Sequence, residues 1–339
     1  MTGDCSITIL RTATPGGATK SFIRARDGAM SKTSYAKVGL WNISTVAVAS
    51  FDDLTRELAA LVDDPAAMVV RGAPKPGLDL SRPQRRKTSG DAATLDDVPR
   101  RWLHLDLDNV AAPHLDVIDD PSGAIDYAID LVAAHAPELD GVSCFAAFSS
   151  SAGVSDPTAA KMHLWYWLDR PYSGAELKRW AARVNEGAGS KLIDPQLFVA
   201  AQPNYTARPV FVGMPDPLPG RRRWTIRRGF ADQATLEIPA QAARRTLTDA
   251  ERKARADYGP GGDFAFFLSR IDGEGLHGLR DPAMRAMSSR IGAIGAAASE
   301  RERADIIGTV ADALRAARRG GRSEETVAEY IDGLDALFD

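Results

Sequence analysis

Cysteine is scarce in this chain of 339 residues, which contains only Cys5 and Cys144. Two cysteines are too few for a disulfide framework or for a zinc site made of thiolates, and Cys144 lies in an apolar run typical of a buried strand. Histidines do not replace them, since His114, His135 and His277 have no ligand spacing with one another. The His-x-His pair of rolling-circle nucleases is also missing. We therefore expect no zinc and no DNA nicking of that kind.

Long hydrophobic runs are missing as well. No stretch of about 18 apolar residues occurs, and the N-terminus lacks a charged start followed by an apolar stretch and a cleavage site. These absences predict a cytoplasmic protein with no membrane partner. The composition, 44% hydrophobic and 26% charged, is typical of a globular chain long enough for two domains.

The chain has no excess of positive charge, since its formal net charge is -3 at pH 7. This argues against a uniformly basic nucleic-acid-binding protein, but basic residues form local clusters. The candidates for DNA contact are Arg85, Arg86, Lys87, Arg221, Arg222, Arg223, Arg227 and Arg228. Trp224 interrupts the second cluster, which fits a groove that follows the phosphate backbone and has one stacking platform. A solvated hairpin face explains that cluster equally well.

The order of apolar and polar residues predicts a mixed α and β domain followed by helices. Strands are predicted at 6–11, 46–49, 68–71, 102–110, 142–148 and 162–168, and helices at 51–61, 124–134 and 174–184. Residues 72–99, rich in Gly, Pro, Arg, Ser and Asp, are predicted to form a mobile loop. From about residue 247 the pattern predicts a helical bundle. We therefore divide the chain into an α+β domain at 1–240 and a smaller all-α domain at 241–339.

Two carboxylates lie on the strand predicted at 102–110. Side chains two positions apart project from the same face, about 7 Å from each other, so Asp106 and Asp108 share a face. The core face is formed by Leu103, Leu105 and Leu107. Two anions this close repel each other unless a divalent cation lies between them, and carboxylate oxygens are the ligands that Mg²⁺ and Mn²⁺ prefer. The pair predicts metal-assisted chemistry on phosphates.

A cation and an imidazole share a face of the strand predicted at 162–168. Lys161 and His163 are two positions apart, and they suit a nucleoside triphosphate because Lys neutralises phosphate charge and His donates a hydrogen bond. The preceding Ser149, Ser150 and Ser151 would add hydroxyl and backbone donors. A lone histidine on a strand is also typical of a structural residue.

A third carboxylate, Asp194, follows an apolar pair. With Asp106 and Asp108 it would complete a clamp for two metal ions, in which one ion activates a 3'-hydroxyl and the other holds the leaving pyrophosphate. The sequence Asp194-Pro195 is equally typical of a helix N-cap followed by Pro at the first helical position, and the two roles are compatible.

Two further features are given smaller roles. Residues 16–21, Gly-Gly-Ala-Thr-Lys-Ser, have some similarity to a phosphate-binding Walker A loop. The glycine that should directly precede Lys20 is missing, so we exclude an ATPase motif. His104 shares the face of Asp106, and we expect it to be structural or to support a metal ligand.

The order of these motifs resembles that of the archaeo-eukaryotic primase superfamily, specifically the primase-polymerases of phages, plasmids and integrated mobile elements. The first motif of that family pairs two acids, which match Asp106 and Asp108. Its second motif carries a nucleotide-binding histidine, which matches His163, and Lys161 stands where many relatives have Ser. Its third motif supplies an acid, which matches Asp194.

The resemblance covers residues 95–215 and implies an α+β catalytic module with a palm related to the RNA-recognition fold. It implies a DNA primase-polymerase that makes or extends primers on single-stranded DNA, with two Mg²⁺ or Mn²⁺ ions, deoxynucleotides or ribonucleotides as substrates and a replicative helicase as partner. Tyr205 would stack on a base or check the sugar, and Arg208 would contact the triphosphate or the template. Structural roles for both residues are equally compatible with the sequence.

Two other functions are open at this point. A replication initiator would use the same fold to bind origin DNA and recruit a helicase, and it would not need Asp106. A metal-dependent glycosyltransferase would use the Asp-x-Asp pair to bind a sugar nucleotide, but this explains neither Lys161 with His163 nor the basic clusters.

Overall fold

The computed structural model describes residues 5–240, apart from 14–16, 37, 91, 113, 155 and 219–222, and then residues 286–287, 300–317 and 331. The chain divides into two compact units, Met1–Gln241 and Ala242–Asp339. The mixed α+β class predicted from the sequence is confirmed. Most of the helices predicted after residue 247 lie outside the described residues.

The strands are β1 (Ser6–Arg11), β2 (Ser21–Arg24), β3 (Met30–Thr33), β4 (Asn42–Ala47), β5 (Ala67–Val70), β6 (Ala73–Pro74), β7 (Leu95–Asp96), β8 (Arg100–Ala111), β9 (Cys144–Phe148), β10 (Ala159–Tyr172), β11 (Asn204–Tyr205), β12 (Val210–Val212) and β13 (Trp224–Arg227). The α-helices are α1 (Phe51–Val62), α2 (Pro121–His135), α3 (Gly174–Ala188) and α4 (Glu300–Ala317), and short 3₁₀ helices lie at Pro137–Leu139 and Pro195–Phe198. In the described parts of the chain, no helix is long and apolar enough to cross a membrane.

Two four-stranded antiparallel sheets form the framework of the first unit. The central sheet has the order β13-β9-β10-β8, and the N-terminal sheet has the order β11-β5-β1-β4. A smaller sheet, β12-β2-β3, and the pair β6-β7 complete the strands of the described residues. The pair β6-β7 lies within 72–99, so part of the segment predicted as a loop forms two short paired strands. The Gly and Pro content of the segment favours a loop prediction, which is why these strands were not predicted.

Local capping signals explain the helix boundaries. Ser50 accepts a hydrogen bond from the backbone amide of Asp53 at the start of α1. Ser173 and Glu176 form a reciprocal capping box at the start of α3, and Gly189 ends that helix in the left-handed conformation, with φ of 61°. Strand boundaries were harder to predict: β4 ends at Ala47 rather than 49, because the next residues lead into the cap of α1.

Apolar side chains cover both faces of the central sheet. One face, with Leu103, Leu105 and Leu107, packs against the buried residues of α2 and α3. The other face contributes Trp102 and Trp165 to a core shared with α1 and the N-terminal sheet. The predicted inward orientation of the three leucines is confirmed by their complete burial. The polar residues of β8 therefore lie on the face that meets the N-terminal part of the chain.

Arg100, the first residue of β8, is fully buried. Its guanidinium donates hydrogen bonds to the carbonyl oxygens of Arg71 (2.7 Å) and Gly72 (3.1 Å) and to the hydroxyl of Thr8 (2.9 Å). Buried donors of this kind are satisfied by backbone carbonyls, which ties the start of β8 to the N-terminal sheet. Arg100 is therefore a structural residue and is not available to a ligand at the surface.

Candidate active site

The acidic strand and the histidine strand meet in register. Asp106 on β8 lies directly opposite His163 on β10, and His163 Nε2 is 3.3 Å from Asp106 Oδ1. The register shifts between the pairs Leu107–Met162 and Val110–Ala160. As a result, Asp108 and Asn109 together oppose Lys161. This is a β-bulge, a device that redirects side chains and is common beside active sites. The bulge also returns Val110 to the core that contains Leu107.

Asp106 is a mostly buried carboxylate in contact with a histidine. The contact with His163 has ion-pair distance but not hydrogen-bond geometry, and the buried Oδ1 has no hydrogen-bond partner among the described residues. Burial raises the pKa of this carboxyl, but the interactions with His163, and then those with His104 and Lys20, outweigh it and lower the pKa to about 2. Asp106 is thus an anion whose buried Oδ1 lies beside the His163 ring without a hydrogen-bond donor among the described residues.

His104 is buried behind Asp106 on the same strand. Its Nδ1 lies 2.7 Å from Asn204 Oδ1, and its ring packs on Trp165 with centroids 4.2 Å apart. The ring of His163 meets it edge to face at 5.1 Å. Burial, and then the field of His163, lower the pKa of His104 to about 3, so its imidazole is neutral. The expectation that His104 has a supporting role agrees with this geometry.

We predict that His104 makes the metal-free protein sensitive to mild acid. Its folded-state pKa lies below the ordinary value of about 6.5, so between pH 6.5 and 3 the unfolded chain binds a proton that the folded chain does not. Stability is therefore lost as the pH falls, by about 2 kcal/mol between pH 7 and pH 5.

Urea unfolding of the wild type and His104→Gln in a chelating buffer measures this contribution. The difference between the two free energies of unfolding should shrink or reverse toward pH 5, because only the wild type loses the histidine contribution. An identical pH slope in both proteins would assign the acid sensitivity to other groups, of which Asp106 titrates at lower pH.

Lys20 and Tyr35, which sequence reasoning did not assign to the site, approach it from the N-terminal part of the chain. The Tyr35 hydroxyl lies 3.3 Å from Ser150 Oγ, and its ring stacks on Tyr205 with centroids 3.5 Å apart and an angle of 2° between the planes. The Lys20 ammonium lies 5.0 Å from the centre of the Tyr35 ring. The charges of Asp106 and Asp108 act to raise the pKa of both side chains. The sequence signal for Lys20 was the Gly-rich segment at 16–21, which we considered as an ATPase motif and excluded.

The predicted nucleotide-binding residues fall into two groups. His163 contacts Asp106 and Lys161 lies opposite Asp108, whereas Ser150 and Tyr205 contact Tyr35. Ser149 is buried, its hydroxyl has no hydrogen-bond partner among the described residues, and its amide donates to the Lys161 carbonyl at 2.9 Å. Ser151, its half-buried neighbour, accepts a backbone hydrogen bond from Val154 at 3.2 Å.

Arg208 points to a different place. Its guanidinium forms an ion pair with Asp63 at 2.8 Å, just beyond the C-terminus of α1. The two residues line a pocket of about 380 Å³ together with Pro65, Phe211 and Met214. The structural interpretation of Arg208 is therefore favoured over a contact with triphosphate.

Asp194 behaves as the alternative local interpretation predicted. Its side chain accepts a hydrogen bond from the amide of Gln196 and caps the 3₁₀ helix that begins at Pro195. It also forms an ion pair with Lys191 at 3.2 Å. Over the described residues, no three His, Cys, Asp or Glu side chains come close enough to hold one metal ion. The structure thus brings Asp106 and His163 into contact and places Asp108 opposite Lys161, while Asp194 is held in a helix cap.

The predicted DNA-contacting residues differ in their surroundings. Arg85 and Lys87 are exposed, whereas Arg86 is half-buried and donates to the carbonyl oxygen of Ala201 at 2.5 Å. In the second cluster, Arg227 pairs with Asp126 at 2.6 Å, and Arg228 pairs with Asp52. Residues 221 and 222, the other two arginines of that cluster, lie outside the described residues.

Arg223 requires a correction. Its side chain is 2% exposed and forms a two-pronged ion pair with Asp216, in which the guanidinium nitrogens lie 3.1 and 2.6 Å from the two carboxylate oxygens. It also donates to the Ser149 carbonyl at 3.3 Å. Because a buried and paired guanidinium is not presented to solvent, Arg223 is not a DNA-contacting residue. It supports instead the loop that contains Ser149, Ser150 and Ser151, which we call the serine loop.

Around the site, buried polar atoms without hydrogen-bond partners among the described residues recur: Asp106 Oδ1, His104 Nε2, Ser149 Oγ, Asn204 Nδ2 and Thr206 Oγ1. Buried polar groups are normally satisfied, so such a set is typical of a ligand-binding site. Comparison of the chain with protein-family models, with curated proteins and with solved structures found no match.

Proposed function

We propose that the chain is a template-directed DNA primase-polymerase, which makes or extends primers on single-stranded DNA during replication of a mobile element. The observation that carries the proposal is the Asp106–His163 pair, with an unpartnered buried carboxylate oxygen beside Asp108 and Lys161. A carboxylate pair, a histidine and a lysine on one sheet face suit the transfer of a nucleotide from a triphosphate.

The donor set fits a hard divalent ion. Asp106 and Asp108 would hold Mg²⁺ or Mn²⁺, because such ions take one or two carboxylates and complete their shell with water and substrate phosphates. When bound, the ion would lower the pKa of an attacking hydroxyl and neutralise phosphate charge. Asp194, engaged with Gln196 and Lys191, is not assigned to a second ion.

The remaining residues would bind and orient the nucleotide. Lys161 would neutralise the phosphates, and His163 would donate a hydrogen bond to a phosphate oxygen while its position is held by Asp106. The stacked rings of Tyr35 and Tyr205 offer a flat surface for a base. Exposed Arg85 and Lys87 would contact the template phosphates.

The fold is compatible with this function. The elements of the central sheet follow one another as β8-α2-β9-β10-α3-β13, with β11 and β12 of the other sheets between α3 and β13, and both helices pack on one face of the sheet. This chain order is that of a ferredoxin-like unit, but the sheet order differs, because β13 pairs with β9 rather than with β8. The opposite face carries Asp106 and His163. What supports the proposal is the two-layer arrangement alone, in which one face of the sheet presents the polar residues while the helices stabilise the other face. The proposed helicase partner rests on the resemblance alone.

Strand synthesis tests the proposal directly. Wild-type protein is incubated with primed or unprimed single-stranded DNA, Mg²⁺ or Mn²⁺, and deoxynucleotides or ribonucleotides. We expect elongated product that requires the divalent ion and is suppressed by chelator. Product on the primed template alone would identify an extending polymerase. No product on either template, together with tight DNA binding, would contradict the proposal and favour the initiator function.

A further inference from the structure

Lys20 is a positively charged residue near the candidate site and belongs to none of the three sequence motifs. Its backbone is fixed on both sides: the Thr19 hydroxyl donates to the Arg208 carbonyl at 2.8 Å, and the Lys20 carbonyl accepts from the amide of Val210 at 3.0 Å. Its ammonium lies 5.0 Å from the centre of the Tyr35 ring, which is itself held by Ser150 and Tyr205. The position of Lys20 beside the serine loop is therefore set by the fold.

The Lys20 ammonium is influenced by charged groups of both signs. Asp106 and Asp108 attract its ammonium, whereas Lys32 and Lys161 repel it. Burial lowers the pKa of Lys20 first, and the two lysines lower it further. A divalent ion held by the carboxylates would reduce this attraction, while the repulsion from Lys32 and Lys161 would remain. Only a ligand with several negative charges would then balance them.

We propose that Lys20 is a phosphate-binding residue of the Asp106 site and that it selects ligands with a polyphosphate group over those with a single phosphate. This inference rests on the proposed function, because it assigns a further contact to the same site. Lys161 and Lys20 belong to different parts of the chain, β10 and the segment before β2. In this proposal a single phosphate would be held by one of the two lysines, whereas a chain of phosphates would contact both.

Unpartnered polar atoms close to the stack provide independent support. The Ser149 hydroxyl and the Asn204 amide nitrogen are buried without hydrogen-bond partners among the described residues. They flank Ser150 and Tyr205 in sequence, the two residues that contact Tyr35. Hydroxyl and amide donors of this kind satisfy the oxygens of an extended phosphate chain.

Calorimetric titration of the full chain with inorganic tripolyphosphate and with inorganic phosphate, both with Mg²⁺, tests the proposal. We expect Lys20→Gln to weaken tripolyphosphate binding about tenfold or more and to change phosphate binding much less, because one charge-assisted contact is lost. Lys20→Arg, which keeps the charge, should stay within about threefold of the wild type. The exposed Lys178→Gln on α3 is the matched control and should bind as the wild type does.

Three outcomes would overturn the proposal. One is unchanged tripolyphosphate affinity in Lys20→Gln; another is an equal loss for both anions. The third is a Lys20→Gln protein that no longer folds, which circular dichroism would reveal and which would make the lysine structural. The strand-synthesis assay on wild-type protein separates this result from the proposed function: absence of synthesis with Lys20-dependent tripolyphosphate binding contradicts the function alone.

Discussion

Asp106→Asn is expected to reduce strand synthesis by about a thousandfold or more, while single-stranded DNA is still bound. Asparagine keeps the size of the side chain but removes the charge, so the pair with Asp108 no longer holds a divalent ion with its full affinity. Metal ions contribute several kcal/mol to such reactions, and each 1.36 kcal/mol corresponds to tenfold in rate. The measurement is the initial rate of primer extension with saturating Mg²⁺.

The matched control is Asp130→Asn, which changes an exposed aspartate on α2, a helix that packs on the other face of the central sheet. Its extension rate should equal that of the wild type. DNA affinity, measured by fluorescence anisotropy, should be unchanged in both variants, because template contacts are assigned to Arg85 and Lys87. Normal extension by Asp106→Asn would contradict the carboxylate mechanism, and loss of DNA binding would indicate a folding defect.

The acidic strand could be predicted from the sequence because a single physical rule governs it. Alternation of two residues puts Leu103, Leu105 and Leu107 on one face, and their burial confirms that arrangement. The partner across the sheet could not be predicted in the same way. The pairing of Asp106 with His163, and the bulge at Asp108, depend on the register between strands separated by a helix and a further strand.

Residues from distant segments explain most of the differences between the predicted and observed site. Lys20 and Tyr35 come from the N-terminal part of the chain and reach the site through tertiary packing, which leaves no periodic signal. The role of an arginine is ambiguous for another reason. A run of arginines looks the same in the sequence whether the side chains are exposed to solvent or buried in a hydrogen-bond network. Arg223 was assigned to a basic cluster but is satisfied internally, as is the buried Arg100.

Arg223→Leu is expected to lower the free energy of unfolding by about 3 kcal/mol, the low end of the cost of breaking a buried ion pair. The substitution leaves Asp216, whose side chain is 17% exposed, without its guanidinium, and the Ser149 carbonyl loses a donor. Urea unfolding at neutral pH measures the effect. Arg85→Leu, at an exposed position of the first cluster, should change stability by no more than about 0.5 kcal/mol.

A double substitution distinguishes lost charge pairing from lost packing. Asp216→Asn keeps an oxygen for the amide of Leu218, 2.9 Å away, but removes the uncompensated charge. We therefore expect Arg223→Leu with Asp216→Asn to be more stable than Arg223→Leu alone, with a coupling of at least about 1 kcal/mol. DNA affinity of the folded single variant should equal that of the wild type. Weaker DNA binding at unchanged stability would instead restore Arg223 to the DNA-contacting residues, because only an arginine that reaches the template would produce that pair of results.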